Sequence, residues 1–576
     1  SISERLIDET QQLMLSLGIP TSKSVTIDRE SAYGYNPLYK LRVITERGLK
    51  RFSEIGFLSD KKNKRLKSKD IKWEFNDIVP NQENILKQIY NGPGKGCAPG
   101  KLSGGANRKL YRDLQHYLPD VQAKRNLTFK RLNVLAKKHQ EIKNSRLPWF
   151  MTNNQFYDQV VSLANGEAYT VDLSVPENNT YIANGFVSHN TRRGANMGIM
   201  YYKHPDIKKF ITSKSKDRGF LQNFNISVAL DEEFFKAVEN DSEIELVNPK
   251  SKKIVGREKA KEMFDLMAKC AWETGDPGFV VIDRINNTGS NPTPKLGQIE
   301  STNPCITAEA LVSTEKGLMR MKELVNNYPV GGINLTTDNR VPIKVINKNG
   351  SIILLENKIK GTSLNTISRA FKTGIKEVYK IETESGYELK CTADHKIFTN
   401  EGFVPLENLE SDKHFVYIQS GEGCFNSDLN LPFETKNSYR GKNGKFYSLN
   451  LPNQWSKELG QILGWLIGDG WLRDKDENCR VGFTFGNEDK EVLNYLKPIL
   501  NSFYGKEIKD VERKNKVIHL SYHSKYFVNF FKEIGVLPVY SQEKVVPETL
   551  YQSSKETVVG FLQGLFTADG TVNFRE

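Results

Sequence analysis

Two short stretches carry residue types that can break and remake the chain's own peptide bonds. The first is GFVSHNTRRGANMG, residues 185–198. An asparagine side-chain amide can attack its own backbone carbonyl, close a succinimide and cut the chain after itself; Asn190 stands before a hydroxyl residue, where such a cut is useful. His189 beside it can protonate or polarise the peptide. Thr191 offers a hydroxyl that can accept an acyl group.

The second stretch is STNPCITAEALVSTEKGLMRMKEL, residues 301–324. The thiol of Cys305 can attack the preceding carbonyl and turn the Pro304–Cys305 peptide into a thioester. That step is uphill and needs a strained or polarised peptide. Thr392-Ala-Asp-His395 can supply the polarisation, a hydroxyl and an imidazole at i, i+3 in a strand-end turn. A lone His-Asn-Thr is ordinarily a plain turn and a lone TxxH a structural histidine. What singles these out is that each sits where the texture of the sequence changes.

The elements that must position them can be read coarsely. ISERLIDETQQLMLSLGI opens the chain with a helical pattern, Leu6, Leu13 and Leu17 lying near one face. Amphipathic segments continue to about 147. AYTVDLSVPENNTYIANGFVSHN then alternates apolar and polar residues, and Asn184-Gly185 is a hairpin signal. From 191 to 304 helical runs such as EKAKEMFDLMAKCAWETGD alternate with strand-like FNISVAL and GFVVID, an α/β texture. From 305 the texture returns to β, and longer helices follow from about 456. RFSEIGFLSDKK (51–62) echoes NFFKEIGVLPVYSQEK (529–544) in the order and type of its residues, which relates the first part to the third.

Bulk properties set bounds. A chain of 576 residues holds several domains, and both of its ends read as cut. A net charge of +13 favours an acidic partner, nucleic acid before membrane. The mean hydropathy of −0.53 and the lack of a long apolar run predict a soluble, cytoplasmic chain with no membrane partner. Six cysteines without CxxC spacing predict reduced thiols and no zinc site. GPGKGCAPGKLSGG (92–105) lacks the Ser/Thr and glycine spacing of a phosphate loop and reads as a flexible loop. KKNKRLKSKD (61–70) reads as a solvated loop or a phosphate contact.

The blocks CITAEALVSTEKGLMRMKEL, GYELKCTADHKIFT and YTVDLSVPENNTYIANGFVSHN-T resemble the N-terminal, TxxH and C-terminal blocks of inteins. The resemblance implies the all-β Hint fold and self-splicing. Cys305 would be the first nucleophile, Thr392 and His395 its activators, His189 the assistant to Asn190 cyclisation and Thr191 the first residue of the following extein. The C-terminal block departs from many inteins in reading Asn178-Asn179 where they carry a histidine.

ILGWLIGDG (462–470) and LQGLFTADG (562–570) each resemble the core of a LAGLIDADG dodecapeptide, as found in homing endonucleases. Gly464 and Gly564 would let two helices approach closely. Asp469 and Asp569 would then fall together at the helix ends and hold Mg²⁺ against a scissile phosphate. Lys544, in a block that lies between the two helices in such inteins, would be an electrostatic accessory. Double-stranded DNA, read in the major groove, is the implied partner.

TRRGANMGIM, HPDIKKFI, FNISVAL, WETGDPGFVVIDRIN and NPTPKLGQIESTNPC resemble the large chain of ribonucleotide reductase, RRGANMG most of all the adenosylcobalamin-dependent class. That family is a ten-stranded α/β barrel. Asn303 would help position the nucleotide, a ribonucleotide that only the spliced parent would use. The family's active-site Glu and redox cysteine pair are absent from the segment.

The expected fold is therefore multidomain: all-β Hint intein segments plus α+β LAGLIDADG endonuclease segments, flanking an α/β barrel slice of a ribonucleotide reductase. The expected divisions are 1–147 (endonuclease region with a helical extension), 148–190 (C-terminal Hint segment), 191–304 (reductase slice), 305–455 (N-terminal Hint segment of a second intein) and 456–576 (its endonuclease region). The expected function is a precursor fragment of the reductase, interrupted by two self-splicing inteins. Two alternatives stay open. The two intein parts could pair and circularise 191–304, or the chain could be an inert DNA-binding remnant.

Overall fold

The computed structural model describes residues 1–67 (without 28–29 and 32–33), 77–79, 86, 89, 105–117, 127–145, 147–148, 156–175, 180–189, 196–216, 224–287 (without 275), 305–338, 343–346, 352–355 and 362–572 (without 412, 420, 441–443, 476–477 and 514–515). Among them, no helix is long and apolar enough to cross a membrane. The loop expected at 92–105 falls almost wholly outside the described residues.

Alternation of side chains builds the largest sheet. Val171, Leu173 and Val175 point to one face of the Phe156–Ser174 strand and its end, and each is fully buried. This strand pairs antiparallel with Arg369–Thr383, from Ser174↔Arg369 to Val160↔Thr383. Its first residues pair with Phe415–Ile418, and Val171 and Thr170 pair with Ile306 and Thr307. The hairpin Thr180–Ala183 to Phe186–His189 joins the same sheet, between strand Lys396–Thr399 and strand Leu311–Thr314.

The turn of that hairpin is Asn184-Gly185, with φ of +46° and +85°. Both values lie in the left-handed region that a two-residue turn of this hand requires, which is why Asn-Gly serves. The Asn184 side chain also ties the hairpin down. It accepts from the Leu311 N–H at 2.7 Å and donates to the Glu388 carbonyl at 2.9 Å.

Among the described residues, segments before 190 and after 305 thus form one 13-stranded sheet. One apolar core fills it, mixing Val171, Leu173 and Phe186 with Ile306, Leu389 and Val416. The sequence reading assigned these segments to two separate inteins; in the fold they are a single unit. Strand pairing between residues some two hundred positions apart leaves no local trace in either segment.

A second core joins the chain's beginning to its end. Leu6, Leu13, Phe52 and Ile55 pack with Trp465, Leu466, Phe531, Phe561 and Leu565. Helices Lys457–Asp469 and Lys555–Asp569 lie at its centre, each opened by a serine cap, Ser456 and Ser554. Strands Gly470–Arg473, Arg480–Phe485, Val511–Glu512 and Ile518–Tyr522 form a four-stranded sheet beside them. The echo read in the sequence is structural. Helices Glu46–Ile55 and Lys525–Ile534 both end on a glycine with positive φ, Gly56 at +69° and Gly535 at +110°.

The basic run from 61 corrects the loop reading: Asp60–Lys67 is helical, with Leu66 buried. Val79, Leu110, Leu132 and Leu147 belong to a small separate core.

The interval between the seams folds around its own core. Strands Asn196–Tyr201, Phe224–Leu230 and Gly278–Val281 are parallel, and helices Glu232–Glu239 and Ala260–Thr274 cover them. Val228, Phe234, Met263 and Met267 fill the space between. Among the described residues these three strands form an open parallel sheet. Phe279 and Trp272 stay exposed.

Candidate functional site

The second seam is built where strand Glu388–Cys391 turns into strand Lys396–Thr399. Thr392 to His395 form that turn, closed by the His395 N–H on the Thr392 carbonyl at 3.0 Å. Pairing of Ile306 with Cys391 brings Cys305 beside Thr392. The Cys305 N–H donates to the Thr392 Oγ1 at 2.8 Å, and the Thr392 N–H donates to the Cys305 carbonyl at 2.9 Å. The Thr392 hydroxyl lies within reach of Asp394 Oδ1 (2.7 Å) and of the Cys305 carbonyl (3.1 Å). Cys305, Thr392 and His395 are all buried.

His395 is held neutral. Burial, and secondly the nearby His189, bring its imidazole down to about 4. Its Nε2 has no hydrogen-bond partner among the described residues. His189 arrives on the adjacent strand, paired with Lys396, and its ring packs edge-on against Phe403. The hairpin therefore delivers the residue before Asn190 to the turn that grips Cys305. Asn190, Thr191, Asn303 and the Asn178-Asn179 pair lie outside the described residues.

Two groups at the sulfur were not singled out in the sequence. Lys376 Nζ lies 3.1 Å from Cys305 Sγ. Burial raises the thiol above its usual range. The Thr373 hydroxyl and Lys376 oppose that rise, and the charge of Asp172 adds to it. Asp172 is buried between Val171 and Leu173, and burial carries its carboxyl to about 7, against the Leu173 N–H and Lys376. An acid inside an alternating strand, VDLSV, was a signal for Asp172. For Lys376 the sequence held none, since its strand meets Cys305 only through the fold.

The second cluster lies at the ends of the two central helices. A Cβ on Gly464 would stand 2.0 Å from the Phe561 carbonyl oxygen, and one on Gly564 would stand 2.2 Å from that of Gln461. Only glycine allows backbones this close. The buried pair Gln461 and Gln563 bridges the helices at 2.8 Å. Asp469 and Asp569 are the last residues of the two helices. Burial, and next the charge of Asp569, push the Asp469 carboxyl up to about 6.

Lys544 donates to the carbonyls of Ile467, Gly468 and Gly470 at 2.7, 3.0 and 2.9 Å. An ammonium has three protons, and all three are used in clamping one helix end. Lys62 does the same for the other helix, donating to the carbonyls of Thr567 and Gly570. Burial lowers both ammonium groups; the charges of Asp569 and Asp469 oppose that at Lys544, and those of Asp489 and Glu488, then Asp469 and Asp569, oppose it at Lys62. The sequence reading missed Lys62, although the echo of 51–62 and 529–544 ends on it. No group of three or more metal-ligating side chains occurs among the described residues, so any ion here would rest on the two aspartates and its own other ligands.

Comparison with known proteins separates these regions. The ribonucleotide reductase barrel domain family matches residues 181–317, and the intein splicing domain family matches residues 310–544. A vitamin B12-dependent ribonucleoside-diphosphate reductase of Thermoplasma acidophilum is 52% identical over 114 residues, 20% of this chain and 15% of the relative. The α chain of the NrdEB ribonucleoside-diphosphate reductase of Bacillus subtilis is 22% identical over 435 residues, 66% of this chain and 35% of the relative. A component of the A-type ATP synthase of Pyrococcus abyssi is 28% identical over 311 residues, 51% of this chain and 28% of the relative. The chain thus spans about a third or less of the length of these relatives.

Proposed function

We propose that this chain, which joins a ribonucleotide reductase barrel segment to an intein splicing domain, cuts and rejoins its own backbone at Asn190–Thr191 and Pro304–Cys305. The observation that carries this is the grip of Thr392 on both backbone groups of Cys305. It fixes the nitrogen that must leave as an amine. The neutral imidazole of His395, buried and three residues on, is the group that passes that nitrogen the proton it needs to leave. The Asp172 carboxylate takes the thiol proton, and Lys376 stabilises the thiolate as it forms. Attack of sulfur on the Pro304 carbonyl carbon then exchanges an amide for a thioester. At the other seam, His189 assists as the Asn190 amide attacks its own carbonyl and frees the Thr191 amine.

The test is the intact mass of the purified 65.6 kDa chain after incubation with a thiol. Release of a piece ending at Pro304, absent from Cys305→Ala, is the expected result. An unchanged mass over the same period would sink the reading.

A second reading concerns the glycine-packed helix pair. We infer that it cleaves double-stranded DNA as a LAGLIDADG endonuclease, because two carboxylates and two clamping lysines are disposed alike at the two helix ends. Asp469 and Asp569 are the residues that would hold Mg²⁺; burial first and the charge of Asp569 second raise the Asp469 carboxyl, and a cation would relieve the second. When bound, such an ion stabilises charge on a scissile phosphate. Incubation with a randomised duplex library and Mg²⁺ tests this. Cutting that Asp469→Asn abolishes supports it, while binding without cutting favours a DNA-binding remnant.

For the parent protein, the relatives' B12 dependence supports adenosylcobalamin as cofactor and a ribonucleotide as substrate.

A further inference from the structure

We propose that the reaction of this chain closes residues 191–304 into a head-to-tail circle, because the two parts of its splicing unit flank that interval and pair with each other. The proposal rests on the acyl-transfer reading above and adds a product to it.

The order along the chain is unusual for a unit that removes itself. The strands before Asn190 and those after Cys305 complete one sheet, so the catalytic unit lies outside the interval and the interval is a loop thrown out from it. The pairing is reinforced at independent places. Gln11 Nε2 donates to the Ser385 carbonyl at 2.9 Å, and Tyr387 OH accepts from the Thr21 N–H at 3.0 Å. Glu9 accepts from the Val546 N–H at 2.9 Å and faces Arg320 at 3.5 Å. Lys62 and Gln563 cross between the same two parts in the helix unit.

Both ends of the loop converge on one turn. Cys305 is gripped by Thr392, and His189 is paired with Lys396. Thr392 and Lys396 are four residues apart, at most about 14 Å of extended chain. The interval itself is a folded α/β unit with its own core, which survives being tethered at two ends. With His189 and Cys305 held at one turn, joining the residues next to them is a unimolecular step.

The chemistry balances without added reagents. Cys305 sulfur bonds to the Pro304 carbonyl carbon as the C–N bond breaks, leaving the Cys305 amine. The Thr191 hydroxyl oxygen then bonds to that carbon and returns the thiol. Asn190 cyclises, and the Asn190–Thr191 peptide breaks to give a Thr191 amine. That amine displaces the ester oxygen, leaving a Pro304–Thr191 peptide. The products are the circle, residues 1–190 ending in a succinimide, and residues 305–576 beginning with a free cysteine amine; no water is consumed.

Mass spectrometry of the reaction of the full chain decides this. The expected species is 191–304 lighter than its linear form by one water, with a Pro304–Thr191 peptide after a single proteolytic cut. It is absent from Cys305→Ala, and Asn190→Ala stalls as a branched ester. An equal mixture of ¹⁵N-labelled and unlabelled chains should give circles that are wholly labelled or wholly unlabelled. Linear 191–304 alone would overturn the proposal while leaving cleavage at the seams intact. Mixed-label chains of 1–304 joined to 191–576 would overturn it by showing pairing between copies. No cleavage at either seam would sink it together with the reading it rests on.

Discussion

The Lys376 ammonium stands 3.1 Å from the Cys305 sulfur, on the strand that pairs across the sheet with residues 160–174. Burial alone would leave this thiol poorly ionised, and Lys376 is the cation that opposes it. Loss of a contacting opposite charge typically moves a pKa by 1–3 units. Lys376→Met should therefore shift the pH dependence of Cys305 alkylation upward and slow thioester formation about tenfold or more. A merely structural lysine would change stability and leave the alkylation profile where it was.

The helix pair makes a steric prediction. Gly464→Ala would put a Cβ 2.0 Å from the Phe561 carbonyl oxygen, which is backbone and cannot step aside. The helices must separate, at a cost of about 2–4 kcal/mol. Gly166→Ala is the control. It meets nothing within 4 Å, and its change in stability should stay within about 0.5 kcal/mol. Urea denaturation of the two variants compares them directly.

What could be read in advance was local. Asn184-Gly185 declared its hairpin because both turn residues must have positive φ. The TxxH turn, the glycine-bearing helices and the α/β interval also follow from short-range pattern. What could not be read was long-range. Lys62 looked like part of a solvated basic run, because its contacts to Thr567 and Gly570 lie some five hundred residues away. The union of 156–189 with 305–418 was invisible for the same reason. Each segment carries a complete alternating pattern and says nothing of which partner fills its face.

His395 makes a prediction in pH. Its imidazole is at about 4 in the fold, below the usual 6.5. A histidine lowered in this way contributes stability above the unfolded value and loses it as pH falls from about 6.5 through about 4. Asp158 and Asp172, raised to about 6 and about 7, act in the opposite sense and lose stability as pH rises. The comparison must therefore be wild type against His395→Gln. Between pH 6.5 and 4 the wild type should lose more stability than the variant. Equal losses would mean that the imidazole protonates normally in the fold.

Asp469 separates function from stability. Its carboxyl is raised to about 6 by burial and by Asp569, so its ionised form is penalised in the fold. A carboxylate raised in this way contributes stability below about 4 and loses it as pH rises through 6. Asp469→Asn carries no charge to lose. It should match the wild type near pH 4 and be more stable by about 1–3 kcal/mol at pH 8 without Mg²⁺. Adding Mg²⁺ should stabilise the wild type and leave the variant unmoved, because the second carboxylate of the pair is gone. The same variant should lose any DNA cleavage. A residue kept for packing would show the reverse, a less stable variant at every pH, and that outcome would remove Asp469 from the candidate metal site.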